Sequence, residues 1–180
     1  RRKTAFTAGA TFRLAMEDPE ERERFLASGT VQLFFGKPHP TDRWGLARVK
    51  ELLALAQGRI VRVNEHHHPD LPETLLAVDA RLRGRVIFVP NFNIAEAAVV
   101  FQGADSTGQW SRLRTEASGT GYMKNLLNGG VPSVTKTGGP LEHIRDGVNG
   151  LVIQDYLPDG RPSPRGLMEV LVRGARLYAE

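Results

Sequence analysis

The strongest constraint in this sequence is its repeated switch from short β-rich apolar runs to helical spacing. Arg85-Val86-Ile87-Phe88-Val89 is closed by Pro90-Asn91 and followed over residues 94–101 by a helical pattern. Val31-Gln32-Leu33-Phe34-Phe35 ends at Gly36, after which Leu46, Val49, Leu52, Leu53 and Ala56 share one helical face. Residues 131–135 and 151–153 read as further strands, with weaker strand signals over 59–63 and 103–105. Helices are predicted over 121–127, 141–145 and 166–178, and Asp18-Pro19-Glu20-Glu21 has the make-up of a helix start. Strand followed by helix implies crossover connections. The expected fold is therefore α/β, a Rossmann-like parallel sheet with helices on both faces, and the 180 residues fit one such domain. Ligands of such sheets sit outside the carboxyl ends of the strands, where loops enter helices.

Composition narrows the classes of function. Cysteine is absent, which removes disulfides, zinc-thiolate sites and thiol nucleophiles together and is compatible with a reducing cytoplasm. No apolar run approaches the ~18 residues that span a bilayer. The net charge of +4 favours anionic partners. The arginines are spread along the chain rather than massed, so phosphates fit that charge better than nucleic acid does. The chain opens on Arg1-Arg2-Lys3 without an initiator Met, and the expectation is a piece of something longer. His66-His67-His68 points its adjacent imidazoles in different directions, which suits a surface loop better than a metal site.

One stretch carries chemistry: Thr115-Glu116-Ala117-Ser118-Gly119-Thr120-Gly121-Tyr122-Met123-Lys124-Asn125-Leu126-Leu127-Asn128-Gly129. Ser118-Gly119-Thr120-Gly121 offers backbone N–H groups free of large side chains, two hydroxyls and a helix directly after. Orphan amides at the positive end of a helix favour an anion. Glu116 stands before the turn, able to accept hydrogen bonds from a polyol. Lys124 lies about one helical turn inside, at a spacing that lets it look back towards the anion. Spacing alone leaves two readings open, since glycine-rich turns are common in α/β proteins and helical lysines are usually solvated.

The same run resembles the cofactor segment of the glycogen and starch (α-glucan) phosphorylases, Thr-Glu-Ala-Ser-Gly-Thr-Gly-x-Met-Lys followed by Leu-Asn-Gly, with Tyr122 in the variable slot. The strand from Arg85 to Phe92 is similar to the family's Arg-Val-Ile-Phe-x-x-Asn-Tyr, and Gly36-Lys37-Pro38-His39-Pro40 to its Gly-Lys-x-His-Pro turn. The resemblance implies the C-terminal domain of a two-domain GT-B glycosyltransferase architecture and a cytoplasmic enzyme. Its partners would be α-glucan with phosphate or glucose 1-phosphate, and an N-terminal domain of the same protein. It implies that Lys124 carries pyridoxal phosphate and is the catalytic residue, that Thr120 and Gly121 hold the cofactor's phosphate, and that Glu116, Ser118 and Gly119 bind the transferred glucosyl unit. Arg1 and Arg2 would be the first basic pair around the substrate phosphate. Because such sites are built between two domains, residues 1–180 alone are expected to be inert.

Two departures keep alternatives in view. Thr7 and Ala8 occupy the positions of the family's second basic pair, so one phosphate ligand is missing. Downstream, the sequence from Gly130 to Leu151 is similar to nucleotide-sugar glycosyltransferases, through Gly-Val-Pro, Gly-Gly-x-x-Glu and Asp-Gly-x-Asn-Gly strings. Those enzymes place two glutamates eight positions apart here; Glu116 matches the first, but Lys124 stands at the second. The alternatives are therefore a retaining nucleotide-sugar transferase without pyridoxal phosphate, and an inactive glucan-binding remnant.

Overall fold

The computed structural model describes residues 7–35, 43–57, 59–62, 74–77, 79–89, 92–115 and 119–179. The chain opens with α1 (Thr7–Glu17) and α2 (Pro19–Ala27), then β1 (Gln32–Phe35) and α3 (Arg43–Ala56). A hairpin follows, β2 (Arg59–Arg62) and β3 (Thr74–Ala77), and then a 3-10 turn (Ala80–Leu82) leads into β4 (Val86–Val89). Next come α4 (Ile94–Gly103), β5 (Gly108–Gln109), α5 (Gly121–Leu127), β6 (Ser133–Val134), α6 (Pro140–His143), β7 (Leu151–Val152) and α7 (Pro164–Leu177).

The expected parallel pairing is present. β1 lies parallel to β4 with Phe34 opposite Phe88, and β5, β6 and β7 form a second parallel sheet in that order. Backbone bonds extend this second ladder beyond its short strands: Val131 N–H donates to Asp105 O at 2.9 Å and Thr135 N–H to Gln109 O at 3.2 Å. The extended segment 131–135 is the one expected from sequence. The weaker signal at 103–105 is displaced, because α4 runs on to Gly103 and the ladder is entered only at Asp105. The antiparallel pairing of β2 with β3 was not foreseen. Thr74-Leu75-Leu76-Ala77 has no alternation, and Leu and Ala favour helix, so partnership with Arg59–Arg62 rather than local preference makes it a strand.

Helices cover both faces of the β5–β7 sheet, as strand alternation requires. Leu151 and Ile153 face a core shared with Phe12, Met16, Leu167 and Met168 of α1 and α7. Val134 and Val152 face the opposite way, against Tyr122, Met123 and Leu126 of α5 and Ile144. Phe12 meets Phe25 and Phe34 edge-on, each at 5.2 Å between centroids, and so ties α1 to α2 and β1. Caps set the helix starts. Asp18 Oδ1 accepts from Glu20 N–H at 2.9 Å with Pro19 in the first turn, the start that the sequence indicated. Asn93 and Glu96 form a capping box on α4, and Ser163 Oγ accepts from Gly166 N–H on α7.

Candidate functional site

The carboxyl edge of the second sheet is formed by Gln109, Thr135 and Ile153, and the loops that leave it carry the polar groups. From β5 the chain turns through residues 110–115 and returns at Gly119 to enter α5. Gly119 has φ 76°, and a Cβ placed on it would lie 2.6 Å from Gln109 Oε1. The left-handed backbone favours glycine, and a larger residue would also displace the end of the Gln109 side chain. The turn is thus packed against the end of β5, and α5 begins two residues later.

Thr120 occupies the N-cap of α5, and its side chain makes no cap hydrogen bond. Among the described residues, its hydroxyl and the first N–H groups of α5 are therefore left for other partners. Lys124 N–H closes the first turn on Thr120 O at 3.3 Å. The Lys124 side chain is exposed, and its Nζ lies 5.6 Å from the centroid of the Phe101 ring on α4. No carboxylate among the described residues pairs with it. Among the described residues, the Lys124 amine, the Thr120 hydroxyl and the first amides of α5 are thus donors without a carboxylate or cap partner, a set whose chemistry could serve an anion and an aldehyde.

Glu116, Ser118, Arg1 and Arg2 lie outside the described residues, as do the 36–40 turn and the 66–68 histidines. Thr7 and Ala8 fall in the first turn of α1. Among the described residues, no group of three His, Asp or Glu side chains could hold a metal ion, and no helix is long and apolar enough to cross a membrane.

Three residues that the sequence reading passed over position this site. Asn125, fully buried in α5, accepts from Thr107 N–H at 3.2 Å and donates to Ala104 O at 3.3 Å. It fastens the helix that carries Lys124 to the entry of β5. A polar carboxamide inside a helix, where it is a poor former, was the available signal. Tyr122 is buried with its hydroxyl 2.8 Å from His143 Nδ1, which also lies 2.9 Å from Gly139 O. Burial first, and the nearby Glu142 carboxylate second, raise the Tyr122 phenol above its ordinary range, so the hydroxyl stays protonated at neutral pH. The third is Arg114, whose N–H donates to Thr137 Oγ1 at 3.0 Å and whose φ of 63° is the one left-handed value among the described non-glycine residues. That conformation costs about 1–2 kcal/mol for a residue with a Cβ.

Comparison with known proteins decides the family. Residues 74–150 match the family model of the carbohydrate phosphorylases. Over that segment the chain belongs to the carbohydrate phosphorylase family. Curated relatives agree. Glycogen phosphorylase of Haemophilus influenzae is 42% identical over 70 residues, 38% of this chain and 8% of its own length. The muscle form of Mus musculus is 36% identical over 122 residues, 68% of this chain and 13% of its own. That of Mycobacterium tuberculosis is 29% identical over 140 residues, 76% and 14% respectively. The chain therefore spans less than one sixth of the length of these curated relatives, 8–14%. The phosphorylase match runs through residues 130–150, the stretch whose strings resemble nucleotide-sugar transferases. It also contains the Gly119 turn, α5 and Lys124.

Gly119→Ala gives a direct test of the turn. The left-handed backbone costs about 1–2 kcal/mol, and Gln109 must also move. The melting transition of the unit that contains the turn, followed in the full-length protein, is expected to fall by a few degrees, about 2–4 °C per kcal/mol where 150–250 residues unfold together. An unchanged melt would show that Gly119 does not need its freedom.

Proposed function

We propose that the full-length protein is an α-glucan phosphorylase, catalysing reversible phosphorolysis of α-1,4-glucan to glucose 1-phosphate with pyridoxal phosphate held at Lys124. The observation that carries this reading is the position of Lys124. It stands one turn inside a helix that begins directly after the Gly119 turn, in a segment of phosphorylase ancestry. Thr120 Oγ1 and the N–H groups of Thr120 and Gly121 would hold the cofactor's phosphate, and the Lys124 amine would bind its aldehyde carbon. Bound there, the group supplies a phosphate that exchanges a proton with the substrate phosphate. Glu116, Ser118 and Gly119 would orient the hydroxyls of the transferred glucosyl unit. Arg1 and Arg2 would offset charge as two phosphates approach, an electrostatic task that water exclusion strengthens. The substrate cleft requires a second domain, so the activity belongs to the full-length protein, and a cytoplasmic location follows from its substrates.

Borohydride reduction of the full-length protein as purified, followed by peptide mapping, tests the reading. The expected result is a pyridoxyl label on the peptide containing Lys124 and absorbance in the visible range that disappears on reduction. No chromophore, with tight binding of a nucleoside diphosphate, would transfer the assignment to a nucleotide-sugar glycosyltransferase, as the Gly130 to Leu151 strings suggest. Binding of neither would leave a glucan-binding remnant.

A further inference from the structure

The loop between β5 and the Gly119 turn is fastened at several points. Leu113 N–H donates to Gly160 O at 2.8 Å, Arg112 Nε donates to Asp159 O, and Arg114 N–H donates to Thr137 Oγ1. Thr137 is itself buried, in the loop that leaves the carboxyl end of β6. Arg114 thus has a fixed backbone at the edge where the strands end, five residues before Gly119 and two before Glu116.

Its side chain is unlike those of the neighbouring arginines. Arg112 reaches Asp159 O, Arg161 pairs with the Asp159 carboxylate and Arg173 with that of Asp146. Arg114 is exposed, and among the described residues its guanidinium makes no hydrogen bond or ion pair. A solvated arginine has no need of left-handed backbone, and glycine would occupy φ 63° without strain. A side chain held there at a conformational cost, charged and unpaired among the described residues, is suited to a ligand.

We propose that Arg114 is a substrate-binding residue whose guanidinium holds the phosphoryl dianion of inorganic phosphate or glucose 1-phosphate. This rests on the phosphorolysis reading. It supplies a cation that Thr7 and Ala8 do not, and the planar fork of N–H donors matches two phosphate oxygens.

The test is calorimetric titration of inorganic phosphate into the full-length protein as purified, with cofactor content measured by absorbance. Arg114→Gly is expected to weaken phosphate binding about tenfold or more, and Arg114→Lys to recover part of it. Cofactor content stays unchanged. The Arg114→Gly melt equals or exceeds that of the parent protein, because glycine relieves the backbone, so weaker binding cannot be ascribed to unfolding. Arg176→Gln controls for net charge. Its side chain is exposed in the last turn of α7, whose following residue Tyr178 donates to Asp105 O at the opposite edge of the sheet. Phosphate affinity of Arg114→Gly within about twofold of the parent overturns the proposal. Weakening that comes with loss of cofactor also overturns it, since Arg114 then serves the cofactor's phosphate. If Arg114→Gly weakens phosphate binding in a protein that performs no phosphorolysis, the reaction assignment fails and the Arg114 site stands. Phosphorolysis with unaltered phosphate affinity gives the converse.

Discussion

In the full-length protein, Lys124→Ala is expected to abolish covalent retention of pyridoxal phosphate and to lower phosphorolysis at least about 100-fold, the cost of a misplaced reacting group. The substitution is mild for the fold. Lys124 is exposed, alanine is the better helix former, and what is lost is a contact between Nζ and the Phe101 ring worth about 0.5–1 kcal/mol. The melt should therefore barely move while cofactor and activity disappear together. Lys124→Arg separates charge from chemistry. It keeps a cation over Phe101 but has no amine able to bond an aldehyde, so the same loss is expected. A borohydride-stable label in either variant would assign the cofactor to another lysine. Full activity in Lys124→Ala would remove the phosphorylase reading altogether.

How much of this was legible beforehand differs between fold and site. The parallel sheet was readable because Val86–Val89 is an apolar run and residues 131–135 a short β-branched stretch with Val131, Val134 and Thr135, both bounded by turn residues and each with a helical pattern near it. The Asp18 cap was readable because Asp-Pro-Glu-Glu concentrates three local preferences in four residues. α1 was not. Its buried face includes Thr11 and Arg13 as well as Phe12, Ala15 and Met16, and Arg13 is accommodated there by ion pairs with Glu17 and with Glu51, itself buried on α3. A face made of polar and apolar residues leaves no amphipathic stripe to detect.

At the site, the Gly119 turn and the helix after it follow from local sequence, since glycine at φ 76° and a helix start are short-range properties. The surroundings depend on tertiary packing. Nothing local announces that Gln109 lies against Gly119, that His143 meets Tyr122 across 21 residues, or that Arg114 adopts a glycine-like backbone anchored by Thr137. The motif could be located, and the residues that hold it in place could not.

Asn125 is the most consequential of those supports, and Asn125→Leu should be the most damaging single change within α5. Leucine keeps the branched shape, with bulkier methyl ends, but provides neither acceptor nor donor, so Thr107 N–H and Ala104 O both lose a partner. Thr107 is buried, and among the described residues its hydroxyl also lacks a partner. At about 1–3 kcal/mol for the buried Thr107 N–H left unsatisfied and about 0.5–1.5 kcal/mol for the bond to the half-buried Ala104 O, the expected loss is about 2–4 kcal/mol, seen as a lower melting temperature of the full-length protein. Asn128→Ala is the comparison. That side chain is exposed and donates to Lys124 O at 2.8 Å, so its loss should cost about 0.5 kcal/mol. Equal melts for the two variants would mean that α5 is held by the apolar contacts of Tyr122, Met123 and Leu126 alone. A large drop confined to Asn125→Leu would place the anchoring of the Lys124 helix in one buried carboxamide.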